Sequence, residues 1–450
     1  MNKTVEKLDL RTLLFFFIPL GVSASLVTLS HIIINSTLVR AENSEFIIAS
    51  YAIAMSLFGI TERLGVLLRQ TCSSLVRDKF SFSLMSRFTY YLIASLMLVA
   101  FAVAYTPVGN FIFSTIYGAD DQMVDNIKGI YQVLIFVTIF SAFRCLNQGV
   151  IIYNRQTKWL TIGMGVRLAA MYLLSIYFIQ TGNITGKTGA IIFLVGMMIE
   201  SLISFIEGRT LVRKMPEKHH ELQIKSKQTI FKFYSPLMFS SVIVVMIGPA
   251  INVFLGKTAD IELAIASYTI ALSVAYLFLS FFSYIHQIVI NFYTDHQAEV
   301  KKFSFFIGVV PFILVGIFSY TAVGPFFLEQ VMGVSGRLLD ASLQVLKVFM
   351  LMALLFPFID FFNGLLMVHK QTKVTIFSQS ANLVITLVVL FIGVTFAAQW
   401  NGIIGALAQS IGMLAELIVL TSIVNALERR SKRKSTLFQV KGLGKEGPKL

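Results

Sequence analysis

The sequence predicts an all-α polytopic membrane protein with twelve transmembrane helices, arranged as two six-helix parallel repeats in a two-lobed fold. Composition, the length of the apolar segments and an internal repeat predict it. Of the 450 residues, 56% are hydrophobic and only 13% are charged, about half the charged fraction of a soluble domain. Apolar runs of about 20 residues, the length that spans a hydrocarbon core, exclude a soluble enzyme and a β-barrel.

Polar turns, and turns that contain Gly or Pro, divide the apolar sequence into twelve helices. We predict the first six at residues 12–35, 46–76, 87–115, 127–153, 158–180 and 188–210. We predict the other six at 230–256, 262–293, 303–329, 340–368, 374–397 and 402–427. The first lobe therefore covers residues 1–213, a linker 214–228, the second lobe 229–428 and a basic tail 429–450.

The two halves of the chain repeat one pattern at an offset close to 217 residues. The matches include Asn35 with Asn252, Tyr51 with Tyr268, Tyr105-Thr106-x-Val108-Gly109 with Tyr320-Thr321-x-Val323-Gly324, and Gly196-Met197-x-x-Glu200 with Gly412-Met413-x-x-Glu416. Because each unit has an even number of spans, both copies run in the same direction, as in transporters built from parallel repeats. Such proteins hold their substrate near the midplane, between the lobes.

The basic residues are distributed unevenly over the predicted loops. Of the 37 Lys and Arg residues, we place four within the membrane and six near one of its sides, and all the others lie on the opposite side. Cytoplasmic loops carry such an excess. We therefore predict a multi-pass protein of the cytoplasmic (plasma) membrane with both termini in the cytoplasm. Topology accounts for the formal charge of +14, so no nucleic-acid partner is predicted.

Charged side chains inside a bilayer are costly and usually face partners or water. With charged residues near the helix ends, such as Lys347, counted with the loops, the embedded residues are four arginines and two acids in the first lobe and two acids in the second. Arg69, Arg144, Arg167 and Glu200 lie at a similar depth, about 10–15 Å from the cytoplasmic ends of their helices. Glu62 shares a helical face with Arg69. This arrangement predicts one polar layer in the first lobe.

Arginine suits phosphate and carboxylate groups, because its planar fork donates to two oxygens and stays charged. We therefore predict an anion-binding cluster. The candidate substrate-binding residues are Arg63, Arg69, Arg144, Arg167, Gln70, Gln148 and Gln287. Arg63 is included although it points elsewhere on its helix than Arg69. The alternative interpretation is an ion-pair lattice, in which Arg144 or Arg167 meets Glu200 only to lock helices together.

The embedded acids are candidates for coupling transport to a proton or a sodium ion. They are Glu62, Glu200, Asp360 and Glu416. Glu416 ends a stripe of small and polar residues on the last predicted helix, a pattern that otherwise indicates close helix packing. The candidate cleft-lining residues are Asn35, Asn252, His286 and Asn382. For Asn35 and Asn252 we favour helix capping over a place in the cleft.

The sequence predicts no resident cofactor or metal besides a coupling ion. Cys72 and Cys145 have no partner at the spacing of a zinc site or a disulfide. Gly186-Lys187-Thr188 and Gly256-Lys257-Thr258 lack the further glycine of a phosphate-binding loop. We therefore expect neither ATP hydrolysis nor any other enzymatic activity.

Five short segments spread over both halves carry a resemblance to known proteins. They are Phe17-Ile18-Pro19-Leu20-Gly21, Ala49-Ser50-Tyr51, Tyr234-Ser235-Pro236-Leu237, Pro249-Ala250-Ile251-Asn252-Val253-Phe254 and Phe356-Pro357-Phe358-Ile359-Asp360. With the repeat and the arginines, they resemble the multidrug/oligosaccharidyl-lipid/polysaccharide exporter (MATE-like) superfamily, and most closely the progressive ankylosis protein family. The resemblance implies a twelve-helix, two-lobed fold and export of anions such as citrate, pyrophosphate or a nucleotide.

The sequence therefore predicts a secondary active transporter that exports an anionic organic or phosphate-containing substrate by alternating access. Its predicted partners are the lipid bilayer and either a small anionic substrate or a lipid-linked pyrophosphate, and the oligomeric state is left open. Three alternatives also stay open: a flippase for polyprenyl-pyrophosphate-linked sugar precursors, a multidrug extrusion antiporter and a non-transporting scaffold. The arginines do not separate exporter from flippase, because both hold an anion. A scaffold predicts a dry interface in which every embedded charge is paired.

Overall fold

A computed structural model describes residues 9–154, 156, 158–217, 226–369, 371 and 374–442. Within this part of the chain, twelve helices are long and apolar enough to cross a membrane, which confirms the predicted fold class. The first half contains α1 (Leu10–Leu38), α2 (Ser44–Leu75), α3 (Lys79–Tyr105), α4 (Asp121–Tyr153), α5 (Lys158–Thr181) and α6 (Gly186–Lys214). The second half contains α7 (Lys227–Leu255), α8 (Ile261–Phe292), α9 (Gln297–Tyr320), α10 (Gly336–Val368), α11 (Val374–Phe396) and α12 (Gly402–Gly442).

Two parts of the predicted organisation lie outside the described residues. They are the central part of the linker, at 218–225, and the end of the basic tail, at 443–450. We call the side that holds the loops 76–78 and 293–296 the inner side, because the predicted orientation places it in the cytoplasm. The opposite side is the outer side.

The structure corrects the helices predicted at 87–115 and 303–329. Both begin earlier and end earlier, as α3 and α9. Each is followed by a separate short helix that finishes in a π-helical turn, at residues 107–116 and 323–332. Continuous apolar character hides these breaks, because the short helices are as hydrophobic as the spans they follow.

The repeated Tyr-Thr-x-Val-Gly motif lies at both breaks. A Cβ added to Gly109 would lie 2.0 Å from the carbonyl oxygen of Val103, and one added to Gly324 would lie 1.9 Å from that of Phe318. Only glycine allows the chain to fold back this closely on the end of the preceding helix. The motif therefore encodes a turn that ends the third span of each repeat.

The first helix of each lobe lies partly on the opposite lobe. In the inner half of α1, the Phe17 ring packs edge-on against Phe281 and Phe303 of the second lobe, at centroid distances of 5.6 and 6.1 Å. Near its outer end, the Thr37 hydroxyl lies 2.6 Å from the hydroxyl of Ser175 on α5. Helix α1 thus crosses from the second lobe on the inner side to the first lobe on the outer side.

Helix α7 makes the corresponding crossing in the other direction. In its inner half, the hydroxyl of Tyr234 donates to the carbonyl oxygen of Leu64 on α2 at 2.6 Å. Its outer part, Ile247–Leu255, contacts α11 and α12 of its own lobe. The two crossing helices join the lobes, so a rocking movement of one lobe against the other must involve both.

Candidate functional site

Five helices of the first lobe, together with Val245 of α7, line a polar cavity of about 330 Å³. We call it the arginine cavity and define it by the side chains of His31, Glu62, Arg63, Arg69, Arg144, Gln148, Arg167 and Glu200. These residues come from α1, α2, α4, α5 and α6. The structure therefore places all four embedded arginines of the first lobe and both of its embedded acids around one space.

Glu200 lies at the bottom of this cavity and is 1% exposed. Its Oε2 accepts hydrogen bonds from Nη1 of Arg144 and from Nη1 of Arg167, each at 2.9 Å. Its Oε1 accepts from Nε2 of Gln148 at 3.0 Å. The guanidinium of Arg167 also lies over the ring of Phe193, 5.3 Å from its centroid. The ion pairs of the alternative interpretation are thus present in the structure. A single carboxylate, however, is the ion-pair partner of both arginines.

The other two arginines of the cavity have no such partner. Arg69 donates only to Oε1 of Gln148, at 3.4 Å, and Arg63 is exposed. Within the described part of the chain, neither forms an ion pair with a carboxylate. With both glutamates ionised, the cavity carries a formal charge of +2 from its four arginines and two acids. Such charge at membrane depth requires water or a bound anion.

A second cavity, of about 430 Å³, lies between the lobes. We call it the central cavity. It is lined by Asn35, Tyr51, Ser56 and Met55 from one lobe and by Asn252, Tyr268, Ser273 and Tyr276 from the other. Val27 and His31 line this cavity and the arginine cavity alike. The two spaces are therefore neighbours on either side of α1.

The paired asparagines of the repeat close the outer part of the central cavity. Nδ2 of Asn35 donates to the hydroxyl of Ser273 on α8 at 2.7 Å, and Nδ2 of Asn252 donates to the carbonyl oxygen of Ala52 on α2 at 3.4 Å. Both bonds cross from one lobe to the other. The two residues therefore line the cleft and bridge it, in place of the helix-capping role that the sequence favoured.

Further contacts hold the outer ends of the lobes together. Nε of Arg337, on α10, donates to Oε1 of Glu45, on α2, at 2.9 Å. The same guanidinium donates to Asp260 of its own lobe at 2.8 Å. Arg40 donates to the carbonyl oxygen of Met332 at 3.0 Å. In this conformation the lobes are closed on the outer side.

The two embedded acids of the second lobe form hydrogen bonds with residues of the same lobe. Asp360 accepts from the backbone N–H of His286 at 2.8 Å and lies 2.9 Å from Nδ1 of the same residue. Nδ2 of Asn382 donates to Oε2 of Glu416 at 2.7 Å. These four residues do not line either of the two cavities. Gln70 is exposed, Gln287 lies against His286, and neither lines the arginine cavity or the central cavity.

Several cavity residues escaped the sequence analysis. His31 is the only residue with a titratable side chain on both cavity walls, and a lone histidine inside a predicted span was itself a signal. Tyr51 and Tyr268 line the central cavity, and their match in the repeat could have suggested a shared position at the interface. Tyr276 and Phe193 gave no signal, because aromatic residues are frequent throughout the spans.

Cys72 and Cys145 are both buried and free. Searched over the described residues, the structure contains no group of three or more His, Cys, Asp or Glu side chains that could hold a metal ion.

No protein-family model matches the chain, and no curated protein matches it in sequence. Solved structures do match. The inward-facing conformation of a multidrug resistance MATE family transporter of the MOP superfamily has a TM-score of 0.70 at 13% identity, over 90% of this chain and 96% of that one. The outward-facing conformation under the same description has a TM-score of 0.56 at 15% identity, over 95% and 99%.

The lipid II flippase MurJ, in an inward closed conformation, has a TM-score of 0.68 at 12% identity, over 90% of this chain and 87% of that one. None of these matches tests the closer resemblance to the progressive ankylosis protein family, which stays a prediction. At these identities the comparisons establish the fold alone. The matches cover 90% or more of the chain, which has the two-lobed, MATE-like fold of these structures.

Proposed function

We propose that this protein is a secondary transporter that carries a multiply charged anion through the cleft between its lobes. The observation that carries the proposal is the arginine cavity, in which Arg63 and Arg69 form no ion pair with any carboxylate of the described residues. A planar guanidinium binds phosphate or carboxylate oxygens in pairs. The adjoining central cavity offers the anion a path along α1 to the interface of the lobes.

Alternating access is the mechanism we propose, and the contacts between the lobes support it. The outer side is closed by the asparagine bridges and by Arg337, whereas on the inner side the lobes are joined through the crossing halves of α1 and α7. We therefore assign the chain to an inward-facing conformation. The TM-score is higher for an inward-facing than for an outward-facing MATE structure, which supports this assignment. We propose that the outer contacts break when the cleft opens outward, in the plasma membrane with both termini in the cytoplasm.

The geometry argues against two of the alternatives. A scaffold needs a dry interface with every embedded charge paired, but two arginines face a cavity without an ion pair. A carrier of cationic drugs needs a cavity with excess negative charge, but the formal charge of the arginine cavity is positive. The coupling ion stays a proposal: Glu62 is an acid of this cavity that forms no ion pair within the described chain.

A flippase for pyrophosphate-linked lipids is the second candidate, favoured by one observation. An apolar groove of about 570 Å³ runs between the inner end of α1 and α9, lined by Leu10, Leu13, Leu14, Phe303, Phe306 and Val310. Helix α1 borders both this groove and the arginine cavity. A lipid tail in the groove could therefore belong to a head group that binds the arginines.

Uptake into proteoliposomes tests the proposal and separates the two candidates. The panel contains citrate, pyrophosphate, a nucleotide, a cationic drug and a polyprenyl pyrophosphate. We expect transport of one or more water-soluble anions and none of the drug. Transport of the polyprenyl pyrophosphate alone favours the flippase, and preference for the drug refutes the anion assignment.

The double variant Arg63→Gln/Arg69→Gln tests the site itself. Neither arginine contacts Glu200, so the substitutions leave the buried ion pairs intact. We expect anion affinity to fall about tenfold or more, since each charge-assisted contact contributes about 1.5 kcal/mol or more. Arg87→Gln is the matched control, because Arg87 is exposed on α3 and lines neither cavity. Equal loss in both variants would point to a general charge effect.

A further inference from the structure

The two buried arginines of the cavity are already occupied by a group of the protein itself. Arg144 is 8% exposed and Arg167 is 3% exposed. Both direct Nη1 at the same oxygen of Glu200. Nε of each arginine is buried without a hydrogen-bond partner. The carboxylate of Glu200 therefore accepts hydrogen bonds from only some of the N–H groups of these two guanidinium groups.

We propose that Glu200 is an internal counter-anion that substrate must displace from Arg144 and Arg167. This inference rests on the proposed anion transport. Without substrate, Glu200 neutralises part of the cavity and keeps the two guanidinium groups in position. With substrate, the anion takes over their donors, and its additional oxygens reach donors that Glu200 leaves free. Glu200 is therefore a positioning residue that lowers anion affinity and sets the charge that a substrate needs.

The substrate anion competes with Glu200 for the two arginines, and this competition sets the charge that the anion needs. Glu200 is tethered in the site and loses no translational freedom when it binds the arginines, whereas a free carboxylate does. A monovalent anion offers the arginines the same chemistry as Glu200 without this advantage, so it does not displace the glutamate. An anion with two or more charges also engages Arg63 and Arg69, for which the described part of the chain supplies no carboxylate partner. The geometry thus selects multivalent anions such as pyrophosphate or citrate over acetate.

The second lobe offers a matched control for this role. Glu416 ends the same Gly-Met-x-x-Glu motif as Glu200. It is similarly buried, at 6% exposure, but its described partner is the amide of Asn382. Among the described residues, no arginine forms an ion pair with it. Removing its charge therefore changes a glutamate of the same motif without freeing a guanidinium.

Isothermal titration calorimetry of the purified full-length protein, with pyrophosphate and acetate as probes, tests the inference. We expect Glu200→Gln to bind pyrophosphate about tenfold more tightly than the wild type and to gain measurable acetate binding. Glu416→Gln should bind both probes like the wild type. The double variant Glu200→Gln/Arg167→Gln restores the formal charge of the cavity and should return pyrophosphate affinity toward the wild-type value.

Failure of the inference is distinguishable from failure of the proposed function. If the wild type binds pyrophosphate and a folded Glu200→Gln variant binds it equally or less tightly, Glu200 is a structural lock and the inference is wrong. If no anion in the panel binds the wild type, the proposed function is wrong and the inference falls with it. If Glu200→Gln is unstable on its own, a larger rise of Tm with pyrophosphate than in the wild type supports displacement, and an equal or smaller rise refutes it.

Discussion

The two lobes place the same motif in the same position and surround it with different chemistry. In the first lobe, Gly196 packs against Arg167 and Met171 of α5; in the second, Gly412 packs against Asn382 and Thr386 of α11. The glutamate one turn further along meets two arginines in one case and one amide in the other. The small residue thus preserves helix packing in both repeats, whereas the arginines that surround the glutamate in the first lobe make its cavity cationic.

The largest expected effect is a loss of stability on replacing the glutamate of this motif, first in one lobe and then, in a second variant, in the other. Glu200→Leu leaves two buried guanidinium groups without a counter-charge, which costs about 3–5 kcal/mol. Glu416→Leu leaves only the Asn382 amide unsatisfied, at about 1–3 kcal/mol. Thermal unfolding in detergent should therefore show a clearly lower Tm for the first variant. Equal losses would mean that the charge difference between the lobes has no bearing on stability.

Helices α2 and α8 differ in a similar way. Helix α2 is continuous, whereas α8 is interrupted at residues 280–284, just before His286. His286 stands where α2 has Arg69. The N–H groups at the start of the second piece need an acceptor, because the bilayer supplies no water. Asp360 provides that acceptor, so the structure gives this acid a capping role that requires no coupling ion.

A pair of substitutions at Asp360 separates capping from ion coupling. Asp360→Ala removes the acceptor and should lower the free energy of unfolding by about 2 kcal/mol. Asp360→Asn keeps an oxygen for the N–H of His286 and should cost less than half as much. Thermal unfolding measures both. If Asp360→Asn retains stability but loses the proton or sodium dependence of transport, Asp360 is an ion-coupling residue as well as a cap.

The sequence predicted the number and order of the helices because an apolar run of about 20 residues in a bilayer forms a helix, which satisfies its own backbone hydrogen bonds. It also predicted that the embedded arginines share a layer, since depth follows from counting residues along each helix. Their partners depended on which helices are neighbours and on how they are rotated. For that reason Arg63, assigned to another face of α2, still reaches the cavity through its long side chain.

The roles of the second-lobe residues could not be read from the sequence. The break in α8 lies within the apolar run Leu279-Ser280-Phe281-Phe282 and carries no Gly or Pro signal. Because the sequence did not predict that break, it could not predict that Asp360 caps the helix that begins after it. The interlobe bonds of Asn35 and Asn252 were equally hidden, because a residue near a helix end can cap the helix or face a neighbour. Tertiary contacts decide between these roles.

The smallest expected effect concerns the outer closure, where the two repeats contribute equivalent residues. Asn35→Ala and Asn252→Ala each remove one hydrogen bond between the lobes, worth about 1 kcal/mol, and should shift the ratio of closed to open outer side about fivefold. Arg337→Gln should shift it less, because an exposed ion pair contributes little. Distances between spin labels at Glu42→Cys and Asp340→Cys, with both native cysteines replaced, measure the shift.

The shorter of the two asparagine bonds, from Asn35 at 2.7 Å, should matter more than the 3.4 Å bond from Asn252. If both alanine variants keep the wild-type distance distribution, the asparagines line the cleft without holding it closed. Closure would then rest on apolar packing between the outer halves of α2 and α8, which is the same in both variants. A larger shift for Arg337→Gln than for either asparagine would instead make the exposed ion pair the principal contact, contrary to the screening expected at the surface.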